Sequence, residues 1–294
     1  MRKVYIDKKL KKYIIPSEMR NSSKAENKVF TTGTRLPLSK EAKYIRLFTA
    51  WARKDGSAGS IDIDLGGAFI KEENGNLVME PIAYYNQSAD YAVHSGDFTS
   101  CKAYRPNSDD TITAEYIDID LEKAKNAGFK YILTAEFVYS GDNTAGNYGD
   151  MDAWSGVQLL NELRTEKRQS INLNDSLFKV KLDGKFQSHA AIAIDLETME
   201  IVIMDQYSEE SRGINVNSMA RKMNEYKKLI FNASEFNENL YNLLEMYCEA
   251  NEFFVTEDIH SADIVCSYND EKLAANQTMF NVSNNLENII NLLN

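Results

Sequence analysis

Ile61-Asp62-Ile63-Asp64-Leu65 opens a run that continues Gly66-Gly67-Ala68-Phe69-Ile70, and Ile117-Asp118-Ile119-Asp120-Leu121 repeats its beginning. Apolar and acidic residues alternate in both. Side chains of an extended chain point to opposite faces in turn, so each segment reads as a strand burying Ile, Ile and Leu. Each strand also projects two carboxylates, roughly 7 Å apart, from its other face. Two readings stay open for these acids. On a solvated outer face their repulsion costs little; in a cation site it is cancelled.

Outward from these segments, short alternating runs bounded by turn residues predict further strands. They cover Lys43–Arg53, Ser60–Ile70, Ile82–Asn86, Thr113–Asp120, Tyr131–Tyr139, Leu177–Leu182, Ala190–Asp195 and Glu200–Asp205. Helices are expected over Leu121–Ala127 and Asp152–Leu163. After about Tyr207 the apolar spacing turns helical over Val216–Ile230 and Asn237–Ala250. Ala262–Ser267 reads as one short strand and Ser283–Leu293 as a terminal helix. The expected architecture is mainly β: a two-sheet β-sandwich over 35–206, with a basic N-terminal arm over 1–34. A C-terminal α or α/β extension over 207–294 completes it.

Charge is spread unevenly. Residues 1–54 hold 15 Lys/Arg against four acids, and the rest holds 18 against 40. So acidic a body repels nucleic acid and anionic membrane and gathers cations. Nucleic acid could be engaged only through the basic residues 1–54, which either lie across the acidic body or meet an acidic protein partner. No run approaches the roughly 18–20 apolar residues of a membrane span. Charges break the N-terminal apolar stretch, so no signal peptide is expected. Cys101, Cys248 and Cys266 form neither a metal-type pair nor a disulfide framework, and a cytoplasmic location is expected.

Other oxygen-bearing segments favour the cation reading. Tyr85-Asn86-Gln87 ends a strand in two amides, His94-Ser95-Gly96-Asp97 makes a compact turn, and Ser108-Asp109-Asp110 precedes the second alternating strand. A rim of Asp62, Asp64, Asn86, Asp97, Asp109 and Asp110 offers the hard oxygens that calcium takes in sets of about six to eight. It suits zinc poorly, because cysteine and histidine are scattered. No catalytic residues are expected. His94 reads as a brace for its turn, Ser95 lacks a nucleophile elbow, and Gly66-Gly67 marks a bulge or a close backbone approach.

These residues resemble a known family. The runs IRLFTAWA, IDIDLGGAFI, AYYNQ, AVHSGDFTS and SDDTITAEYIDIDLEKA, in this order, are similar to the TerD domain of tellurium-resistance and bacterial stress proteins. The resemblance implies a two-sheet sandwich, bound calcium (one or two ions), a role in tellurite or phage stress, and no enzymatic activity. Carried over residue by residue, it assigns metal ligation to Asp62, Asp64, Asn86 and Asp97, with Asp109 and Asp110 next. Phe98 departs from the pattern, standing where the family commonly has Asn after Gly-Asp, so one oxygen ligand is lost. Two functions follow as expectations. One is a calcium-binding stress-response protein whose metal orders the loops at the sandwich end; the other is a metal-independent component of a stress complex or phage particle.

Overall fold

The structure is a computed structural model. It describes residues 2–14, 32–74, 76–105, 111–139, 146–163, 170–184, 186–208, 239–268 and 277–281. Strands are numbered in chain order. One sheet of seven joins β3 (Tyr44–Arg53), β6 (Ser88–Ala89), β7 (Ala92–His94), β8 (Ile112–Asp120), β10 (Met151–Leu160), β11 (Ser170–Ile171) and β12 (Ser176–Leu182). Its spatial order is β12-β10-β3-β8-β7-β6, with β11 beside β8. A second sheet runs β2 (Arg35–Pro37), β14 (Glu200–Ser208), β13 (Ser188–Asp195), β9 (Phe129–Tyr139), β4 (Asp62–Glu73), β5 (Asn76–Ile82).

The alternation read from the sequence is what packs these sheets face to face. Leu47 and Trp51 of β3 and Ile117 and Ile119 of β8 meet Ile63, Leu65 and Phe69 of β4 and Ile132 of β9 in one buried core. Gly67 marks a close approach: a Cβ there would lie 2.8 Å from Ile117 across the core. The hairpin at Asp195–Glu200 forms as expected. So does a short helix α1 (Leu121–Asn126), capped by Asp120, whose side chain accepts from the Lys123 N–H at 2.9 Å.

Two expected elements change. Asp152–Leu163 is not a helix but contributes most of β10, because its inner face alternates: Met151, Ala153, Ser155 and Val157 are all buried. Gly156 lets β12 and Phe48 close in. A Cβ there would meet the Phe178 carbonyl oxygen and, at 2.6 Å, the Phe48 ring. Gly156→Ala is therefore expected to lower stability by about 1–3 kcal/mol in urea unfolding, with overpacking as the cause. Ile82–Asn86 is likewise not a strand. β5 ends at Ile82, and Ala83 and Asn86 close a tight turn through paired backbone bonds of 2.9 and 3.1 Å.

The first strand joins elements from the far part of the sequence. β1 (Lys3–Ile6), β15 (Phe254–Thr256), β16 (Ile264–Ser267) and β17 (Thr278–Asn281) form a parallel sheet ordered β15-β1-β16-β17, beside helix α2 (Leu240–Ala250). Ile14 and Asn239 bridge where the chain leaves this unit and returns to it. The sandwich is thus inserted between β1 and α2. Residues 3–14 are part of an α/β unit rather than an arm, because Val4, Ile6 and Leu10 bury their side chains against the C-terminal elements. Basic residues of the first 54 pair with acids elsewhere: Lys12 with Glu200 at 2.7 Å, Arg35 with Asp195 and Glu200 at 2.9 and 2.7 Å, Arg46 with Asp118 at 2.7 Å. The helices expected over Val216–Ile230 and Ser283–Leu293 lie outside the described residues. Among the described residues no helix is long and apolar enough to cross a membrane.

Candidate functional site

β4 pairs with β5 only from Gly67 onward, which leaves the edge of Asp62–Gly66 open on that side. The side chains of His94, the last residue of β7, and Glu115 of β8 reach into this gap. Leu65 presents its N–H and C=O to it; Glu115 Oε2 accepts from the N–H at 2.8 Å and His94 Nε2 meets the carbonyl at 2.9 Å. The Gly96 N–H donates to His94 Nδ1 at 3.0 Å, so His94 carries its proton on Nε2 and braces the turn through both nitrogens. Glu115 Oε1 accepts from the Phe98 N–H at 3.0 Å. Phe98 brings no side-chain oxygen, but its backbone holds a carboxylate in place.

This arrangement gathers Asp62, Asp64, Asp97 and Glu115, with one ligand-type oxygen of each within 4.8 Å of all the others. Asp62 and Glu115 are buried, Asp64 is half-buried, and Asp97 is exposed at the mouth. Asp62 Oδ1 is buried and has no hydrogen-bond partner among the described residues. Burial, with Asp64 and Asp97 adding repulsion, pushes the Asp62 carboxyl up to about 8. Burial and then Asp97 push Asp64 up to about 6. Glu115 is pushed up to about 9, chiefly by burial and against the pull of its two backbone donors.

Of the six expected ligands, three are brought together. Asn86 is exposed on the turn after β5, where its Nδ2 donates to the Pro81 carbonyl at 2.6 Å. Asp109 and Asp110 lie outside the described residues. Glu115 was missed, although a signal existed: counting back two residues from buried Ile117 puts Glu115 on the same inner face. The second alternating segment plays another part. Asp118 is buried in a two-pronged pair with Arg46, at 2.7 and 2.8 Å, and Asp120 caps α1.

The oxygens are all carboxylate, which suits a hard divalent cation and not a thiophilic metal. No family model and no curated protein matches the chain. Solved structures are similar to the chain, among them these two. A homologue of telluride resistance protein (TerD), SCO6318 from Streptomyces coelicolor A3(2), has 8% identity and a TM-score of 0.41, covering 62% of this chain and 97% of that one. A protein of unknown function, SAV2460, has 11% identity and a TM-score of 0.40, covering 63% and 98%. Neither likeness carries a functional argument at that score.

Proposed function

We propose that the chain is a non-enzymatic, calcium-binding interaction protein of the stress-response type that its TerD resemblance implies. The observation that carries this is Asp62 Oδ1: a buried oxygen without a hydrogen-bond partner among the described residues, grouped with three other carboxylates. An orphaned buried acceptor costs about 1–3 kcal/mol, a cost that a bound cation would relieve. Asp62, Asp64, Asp97 and Glu115 would hold the ion. Calcium, when bound, supplies the positive charge that four neighbouring carboxylates lack. Glu115 and His94 keep the turn at residues 94–98 against β4, and Asp97 closes the site from the solvent side. Drawing Asp97 inward fixes this turn, and the ordered sandwich end is the surface offered to a protein partner.

A second reading, a metal-independent assembly component, draws on Glu115. Its bonds to the Leu65 and Phe98 N–H groups tie the turn to β4 with no ion. Calorimetric titration of chelator-stripped protein with calcium separates the two. Saturable binding that Asp62→Asn abolishes is expected; heats no larger than dilution would leave the assembly reading.

A further inference from the structure

A sandwich interior is normally apolar, with polar residues on the outer faces. Here a polar row crosses it. On the inner face of the seven-stranded sheet Glu115 of β8 stands opposite Thr49 of β3, and Thr49 stands opposite Ser155 of β10. All three are fully buried. Ser155 Oγ donates across the core to Glu136 Oε1 of β9 at 2.7 Å, and Glu136 Oε2 accepts from the Ala191 N–H at 3.3 Å. Thr49 Oγ1, in the middle of the row, has no hydrogen-bond partner among the described residues.

Valine has the shape of threonine, an equal preference for strands, and no hydroxyl to strand in a core. A threonine kept at this position is a local cost, and such costs gather at functional sites. Side chains directly opposite on one face of neighbouring strands have Cβ atoms about 4.5–5.5 Å apart. The register therefore makes Thr49 and Glu115 side-by-side neighbours on that face.

We propose that Thr49 is a positioning residue for the cation site, its hydroxyl being the third donor that Glu115 takes up when it turns an oxygen towards an ion. Glu115 has two backbone donors, one on each oxygen, both spent on holding the turn. Swinging either oxygen towards a cation lengthens one of those bonds, and Thr49 supplies the replacement. Ser155, tied to Glu136, flanks Thr49 on its other side and leaves Glu115 as its outlet. The inference rests on the calcium reading above. Groups that support metal ligands from behind typically change affinity about 10–100-fold when removed.

The test compares Thr49→Val, Thr49→Ser and Thr49→Ala with the wild type, measuring calcium affinity by calorimetry and melting of the metal-free protein. Thr49→Val is expected to weaken calcium binding about 10-fold or more while raising the metal-free melting temperature by a few degrees. A merely structural threonine does not give that pair of opposite signs. Thr49→Ser is expected to restore affinity to within about threefold, since it keeps the donor. Thr49→Ala melts lower, having lost a methyl, yet weakens calcium as much as valine does. Wild-type affinity in both Thr49→Val and Thr49→Ala would overturn the inference and leave the calcium reading standing. A wild-type protein that binds no calcium overturns both.

Discussion

Chelator-stripped protein is expected to melt at a lower temperature at about pH 8 than at about pH 5, and calcium to reverse the loss. The carboxyls of Asp62, Asp64 and Glu115 sit at about 8, 6 and 9 in the folded protein, against 3.8, 3.8 and 4.5 when unperturbed. Between its two values each group holds a proton in the folded state that it lacks in the unfolded state. Stability therefore falls with rising pH, beginning above about 4 and levelling only beyond the folded values. A tenfold change in proton affinity is worth about 1.4 kcal/mol and all three groups act in the same direction, so a fall of about 10 °C or more is expected over this range. Calcium at about 100 times its dissociation constant adds about 2.7 kcal/mol at the higher pH, and much less at the lower, where protons compete. Asp62→Asn should make the metal-free protein more stable at about pH 8 and unresponsive to calcium. Melting curves at both pH values, with and without calcium, check all of this. A metal-free protein that grows more stable from about pH 5 to about pH 8 would sink the account.

How much of this was legible can be argued from particular residues. Period-two alternation revealed β3, β4, β8 and β9, since each buries one face and the pattern is local. It failed at β10, where Trp154 falls between the inner residues and Leu159-Leu160 follow without alternation, which blurs the period into a helical one. The pairing of β1 with β15 and β16 was not visible at all. Register between strands some 250 residues apart is set by tertiary packing, and the basic stretch 1–34 reads locally as an arm. At the site, Asp62, Asp64 and Asp97 were readable because acids at alternate positions and an Asp after a glycine turn are themselves signals. Glu115 was not singled out because a lone glutamate between apolar neighbours looks like an exposed residue, although its two-residue step from Ile117 puts it on the inner face.

The twin motif makes the same point, and it carries the other large prediction. Asp62-Ile63-Asp64 and Asp118-Ile119-Asp120 are alike in sequence, and only the neighbouring strand tells them apart. β8 lies beside β3, which places Arg46 opposite Asp118. Arg46 Nε and Nη2 donate to the two Asp118 oxygens at 2.7 and 2.8 Å, and its guanidinium lies 3.6 Å from the centre of the Tyr116 ring. Both charged residues are buried on the outer face of the seven-stranded sheet, where Tyr116 packs in one cluster with Ile171 and Leu173. Asp118→Ala leaves the Arg46 charge buried and unpaired, a loss of about 3–5 kcal/mol. Replacing both partners, as Arg46→Met with Asp118→Leu, is expected to recover most of it, because two apolar side chains remove the desolvation cost together with the attraction. Calcium affinity should stay at the wild-type value in the double variant, since Asp118 faces away from the four carboxylates. Urea unfolding and calorimetry give the two readouts. Should Asp118→Ala unfold at the wild-type midpoint, or the double variant lose calcium, the division of labour between the two acidic strands would be wrong.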